Sequence, residues 1–415
     1  MVSIAYMDPG NYGTDIAAGV GYKYDLLWAG WLASGMAMLL QYLSGKLGIA
    51  SGYSLPELVR KSFNGKRRYV IPYWIAAEAA AAATDLAEYL GTVLALNLLF
   101  GIPLLYSAVF GALDVILLLT MMGTRFRLIE QYFALLIGVL VLGIFYNLFV
   151  VSPDPAQVIY HSVIPVASSN GALLIAVGMV GATVMPHALF VHSWLAKNKM
   201  DLMSRKVNGD RADSFNEMSK VSEGHIQHSM VEKQRTRRLH LNENVVALTI
   251  AGVVNAGILL VAIPFYNPGA SVTIGQLVSG VRALYGPVVV AVFVLTLLAS
   301  GLSSSALGTI AGQIIMEGLI GKRWNLWARR IVTRVVNVFP TTLAILIGLD
   351  PLSLLVYSQV ILSLMLPLPM IPLVYYTSKR KYVAELVNRR ATVVLALATV
   401  AVILGLNFYL IETLV

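Results

Sequence analysis

Long apolar stretches separated by short charged ones dominate the chain. Apolar runs of roughly 20 residues or more recur at 2–21, 26–47, 71–100, 104–122, 128–151, 172–195, 245–265, 287–319, 326–349, 352–376 and 393–410. A helix of that length, rising about 1.5 Å per residue, crosses a hydrocarbon core of about 30 Å. The pattern predicts an all-α polytopic membrane protein with eleven transmembrane helices. The runs at 71–100 and 287–319 are long enough that those helices tilt or extend beyond the bilayer. A transmembrane β-barrel would instead alternate polar and apolar positions over about ten residues.

Composition agrees. Of 415 residues, 58% are hydrophobic and 12% charged, against about 25% charged in a soluble domain. Mean hydropathy is +0.75. The absence of cysteine leaves no disulfides, zinc thiolates or thiol chemistry. No basic segment precedes the first apolar run, so a cleavable signal peptide is not expected. Only seven residues precede Asp8, so the first helix is expected to be cut short at its start. The short C-terminal tail and the lack of an N-x-S/T sequon favour a bacterial source.

The net charge of +9 is topological. Of the 30 lysines and arginines, 27 fall in alternate loops that the positive-inside rule assigns to the cytoplasm. Only Lys23 and Arg282 fall in the other set, and Arg334 lies inside a span. The predicted N-terminus is cytoplasmic and the C-terminus extracellular, in a cell membrane. No basic domain stands apart, so no nucleic-acid partner is expected, and no obligate protein partner is evident. The stretch 197–243 has ten basic residues, seven acidic ones, His225, His228 and His240. It reads as a solvated, partly flexible connector, and its His-x-x-His spacing alone is weak evidence of a metal site.

Two of the apolar runs are interrupted. The first contains YMDPGNYGTD (6–15), where Pro9 and Gly10 sit between Asp8 and Asn11. Proline removes a helical hydrogen bond and glycine loosens the backbone. A charge at mid-membrane costs at least about 2.5 kcal/mol. A kink needs no acid and no amide, so these residues point to a cavity or site. The sixth run contains VGATVMPHALFVHSW (180–194), with Met185, Pro186, His187 and His192. Broken helices at the start of two groups of five spans mark the central site of a transporter built from inverted repeats. The first repeat is expected over 1–151 and the second over 172–376, with 393–410 as an eleventh helix. Asp8 offers a charged oxygen, Asn11 a neutral one, Met185 a thioether and unwound carbonyls such as that of Ala182 further oxygens. Sulfur in that set favours manganese, iron, cobalt or cadmium over magnesium or calcium.

The paired DPGN and MPH segments resemble the signatures of the natural-resistance-associated macrophage protein (Nramp) family, proton-coupled divalent metal transporters. ATDLAEYLG (83–91), LASGLSSSALGT (298–309) and SQVIL (358–362) also resemble family segments in the expected order, so the likeness spans the chain. The resemblance implies a LeuT-type fold with inverted five-helix repeats, helices 1 and 6 unwound at mid-membrane, and an extra helix. It implies metal coordination by Asp8, Asn11, Met185 and the Ala182 carbonyl, with Gln359 and Ala5 as weaker additions. No resident cofactor is implied; the cargo is the metal and the proton.

The third run holds Glu78, Asp85 and Glu88 on one helical face. Arg329, Arg330 and Arg334 of the ninth run are candidate partners. By resemblance, Asp8 takes or releases the proton, with Asp85, Glu88 and the arginines behind it. His187 adjoins the metal motif and tunes Asp8 or supports the break, His192 is a weaker proton-path candidate, and Asn255 supports the gate by hydrogen bonding. The expected function is proton-coupled import of divalent transition metals by alternating access. The alternatives are a same-fold carrier of magnesium or another cation, and a cation channel. An enzyme is not expected: no histidine precedes a glutamate as in HExxH, and residues 301–304 read GLSS rather than GxSG. No nucleotide-binding motif is present.

Overall fold

The computed structural model describes residues 8–112, 126–166, 169–207, 229–267, 273–322 and 324–414. Among these there is no β-strand. Every apolar run coincides with helix: α1 (Pro9–Tyr22), α2 (Leu27–Ser51), α4 (Arg67–Phe100), α5 (Leu104–Gly111), α6 (Phe126–Val151), α8 (Asn170–Val184) with α9 (Pro186–Val207), α10 (Met230–Ala262), α12 (Pro287–Ile320), α13 (Leu326–Leu346), α14 (Pro351–Met365) with α15 (Pro367–Thr377), and α17 (Arg390–Leu414). The rest of the 104–122 run beyond Ala112, and the start of the first run, lie outside the described residues. Short helices occupy connections: α3 (Leu55–Ser62), α7 (Pro155–Val163), α11 (Ile274–Tyr285) and α16 (Arg380–Val383). Among the described residues, seven helical stretches are long and apolar enough to cross a membrane by length and composition.

The 197–243 connector requires correction. Residues 197–207 continue α9, and 230–243 form the first turns of α10. Polar sequence does not prevent helix where caps and side-chain pairs support it. A Ser229/Glu232 capping box starts α10. Lys197 pairs with Glu57 at 3.1 Å and Lys199 with Glu243 at 2.7 Å. Lys233 donates to the Ala50 carbonyl at 3.1 Å. His225 and His228 lie outside the described residues.

Burial orders the helices. The α8–α9 pair is almost wholly enclosed, whereas α6 and α17 leave most of their apolar surface outward, as lipid-facing helices do. α1 packs against α4, α8, α10 and α14, so both interrupted runs meet at the centre. Small residues permit that approach. A side-chain carbon on Gly181 of α8 would collide with the Gln359 carbonyl and sit 2.7 Å from the Ser363 nitrogen of α14.

Candidate metal site

The two breaks are made by proline and its neighbours. α8 ends at Val184, and Met185 caps it with φ 52° and ψ 107°, a left-handed setting that a side chain adopts at a cost. Its N–H still reaches Gly181 at 3.2 Å. Pro186 then starts α9. Having no N–H, it cannot serve the carbonyl four residues back, which is Ala182. That carbonyl is left for other partners at the negative end of the α8 dipole.

α1 begins the same way. Asp8 is its N-cap, Pro9 its first residue. Asp8 Oδ1 accepts from the Asn11 backbone N–H at 2.9 Å and from Asn11 Nδ2 at 2.8 Å. Among the described residues, Asp8 Oδ2 is buried with no hydrogen-bond partner. One carboxylate oxygen therefore holds the helix start while the other is presented. Ala5, the position four before Pro9, lies outside the described residues.

Asn11 joins the two breaks. Its Nδ2 lies between Asp8 Oδ1 and the Ala182 carbonyl, the latter at 3.5 Å. Its Oδ1 accepts from Thr183 Oγ1 and from Asn255 Nδ2 of α10, each at 3.2 Å. Asn255 Oδ1 is buried without a partner. Gln359 of α14 lies between the breaks: its amide covers Gly10 and its backbone carbonyl covers Gly181. Gln359 Nε2 donates to Ser358 Oγ at 2.9 Å, and Oε1 is buried without a partner. Met185 is buried. The structure thus brings Asp8, Pro9, Gly10, Asn11, Ala182, Met185, Pro186, Asn255 and Gln359 to the junction of the two broken helices. Among the described residues no cluster of three or more histidine or acidic side chains forms a metal-ligand group. A cation here would meet one carboxylate and otherwise neutral oxygens and sulfur.

A row of acids lies behind the junction on α4. His187 Nδ1 is 3.0 Å from Thr84 Oγ1, next to Asp85. Thr84 also donates to Ala80 O at 3.1 Å; when its single proton goes there, His187 donates. Glu78 pairs with Arg329 of α13 at 2.5 Å. Asp85 accepts from Asn337 at 2.5 Å. The Glu88 carboxylate packs over Gly308 of α12. Arg334 donates to Ser305 at 3.2 Å and stacks 4.7 Å from the Tyr89 ring centre. The Arg330 side chain lies outside the described residues. His192 sits apart, its ring 5.7 Å from that of His240, which contacts the Gln41 carbonyl.

Thr183, Asn337, Thr84 and Asp15 were missed by sequence reasoning. Asn337 follows Arg334 by three and so shares its face. Asp15 is four residues after Asn11 and seven after Asp8, on the same stripe of α1; it is buried, with Oδ2 unpartnered.

The sequence model of the family described as natural resistance-associated macrophage protein-like matches residues 1–413. A divalent metal cation transporter MntH of Granulibacter bethesdensis is 39% identical over 412 residues, covering 99% of this chain and 86% of the relative. The protein of the same name from Deinococcus radiodurans is 39% identical over 416 residues, covering 99% and 87%. The crystal structure of a manganese transporter of Eremococcus coleocola, bound to an aromatic bis-isothiourea compound, superposes with TM-score 0.82 at 32% identity, covering 98% of this chain and 83% of that one. Inward-facing Mhp1 superposes with TM-score 0.55 at 13% identity, covering 99% and 86%, a likeness of LeuT-type fold alone.

Proposed function

The chain belongs to the Nramp family of divalent metal cation transporters, and from that premise we propose that it imports manganese and related transition-metal ions together with protons by alternating access. The carrying observation is the Asn11 amide between Asp8 Oδ1 and the Ala182 carbonyl, beside the unpartnered Asp8 Oδ2. An NH₂ group that bridges two oxygens occupies the place of a cation. Metal arrival displaces it. Asn11 turns its side chain over, so Oδ1 joins Asp8 and the Ala182 carbonyl as a ligand, and Met185 adds sulfur. The turned Nδ2 then faces Asn255, whose unpartnered Oδ1 accepts it after a matching turn. Gln359 Oε1, buried and unpartnered between the two breaks, completes the oxygen set as the site closes. Ala5 lends its carbonyl when the site opens inward.

In this reading the proton leaves Asp8 as the dication binds, because one carboxylate serves both. His187 and Thr84 connect the junction to Asp85, Glu88 and Glu78. Arg329, Arg330 and Arg334 carry the compensating charge. Residues 1–151 and 172–376 rock against each other as inverted repeats, with the N-terminus cytoplasmic, the C-terminus extracellular and the eleventh helix outside both.

Reconstituted into liposomes, the chain should take up Mn²⁺ saturably when the outside is acidic. Uptake should collapse when a protonophore removes the gradient. Non-saturable flux indifferent to the gradient would instead identify a pore.

A further inference from the structure

A cavity of about 660 Å³ lies between α2, α10 and the segment leading into α17, remote from the metal site. Lys46, Arg237 and Arg389 line it, and Glu385 is its one acid. Lys46 is 3% exposed. Its ammonium donates to Asn388 Oδ1, a neutral group. That amide is oriented by Asn388 Nδ2 donating to Thr377 Oγ1 at 3.0 Å. Among the described residues no carboxylate lies within ion-pair distance of Lys46, Arg237 or Arg389. Buried cations are ordinarily paired with an anion, since desolvation costs more than a neutral partner returns. Here the buried Lys46 shares a cavity with the half-buried Arg237, the exposed Arg389 and one acid, and Gln234 adds a further neutral donor.

We propose that this cavity binds a phosphate group, and that its source is the headgroup of an anionic phospholipid. Lys46 and Arg389 stand at the ends of the apolar runs 26–47 and 393–410 that the charge bias assigns to the cytoplasm, so the cavity lies at headgroup depth. α17 beside it is largely lipid-facing. Basic pockets between membrane helices on that side suit acidic headgroups because charge attraction adds to the anchoring of the acyl chains. The bound headgroup ties α2 and α10 to the α15–α17 connection.

The test is native mass spectrometry of the full chain in detergent, titrated with phosphatidylglycerol, phosphatidylcholine or inorganic phosphate. One phosphatidylglycerol should bind saturably and phosphatidylcholine should not. The double variant R237Q/R389Q should bind about 30-fold more weakly, the factor expected on removing two charges near a membrane surface. R237K/R389K should restore binding. K46Q risks unfolding the chain, so the two accessible arginines carry the test. R67Q/R68Q, basic positions outside the cavity, should bind as wild type. Competition by millimolar inorganic phosphate would assign the site to soluble phosphate; its failure to compete assigns it to the lipid. Wild-type binding by R237Q/R389Q, or equal loss in R67Q/R68Q, would overturn the proposal.

Discussion

Replacing Pro186 with alanine isolates what the second break contributes. In the wild type, continuing the helix through Met185 would place proline in a helix interior, at a cost of about 3 kcal/mol. The broken form instead holds Met185 at φ 52°, which costs about 1–2 kcal/mol, and leaves the Ala182 carbonyl without a helical donor. In Pro186→Ala the penalty on the continuous form disappears. The N–H that alanine brings to position 186 bonds the Ala182 carbonyl, which accounts for about 1 kcal/mol of that penalty. A shift of about 3 kcal/mol moves the balance between broken and continuous forms about 150-fold. The metal-competent form is then less populated, and apparent affinity falls with that population. Calorimetric titration should show Mn²⁺ binding weakened between about 10-fold and 150-fold, while thermal unfolding moves upward. Gain of stability with loss of binding is the signature of strain held for function. Wild-type Mn²⁺ affinity in a more stable Pro186→Ala protein would refute the role given to the Ala182 carbonyl and the break.

Met185→Ala should let calcium and magnesium compete better against manganese in binding assays; unchanged selectivity removes the sulfur from the ligand set. Glu78→Gln leaves the Arg329 guanidinium with side-chain exposure of only 7%. Since Glu78 itself is 23% exposed, the expected loss is about 1–2 kcal/mol rather than the 3–5 of a fully buried pair, read as a lower melting temperature. Gly181→Ala drives a carbon into the α14 backbone at Gln359 and Ser363, which no side-chain rotation relieves. It should cost at least about 2 kcal/mol and fail in folded yield, whereas Gly35→Ala, with open space around it, should express normally.

The helices were legible because the bilayer demands length and apolarity, and both are written in linear sequence. The central site was legible because an acid, an amide and two prolines have no cheap reason to stand in apolar runs. What escaped sequence reading depends on which residues meet across helices. Nothing in the chain says that Asn337 meets Asp85, or that Thr84 meets His187 across helices. The 197–243 segment misled because its polarity resembles a loop, while its helical turns are supported by caps and by pairs to Glu57 and Ala50. The orientation of the Asn11 amide, on which the proposed displacement by metal rests, is a property of the assembled junction alone.

The most direct measurement is Mn²⁺ uptake into proteoliposomes under an inward proton gradient, wild type beside Asp8→Ala. If Asp8 supplies the one charged ligand and the proton, the variant should fold, insert and show background uptake at any gradient. Wild-type rates in Asp8→Ala would contradict the site and the coupling together.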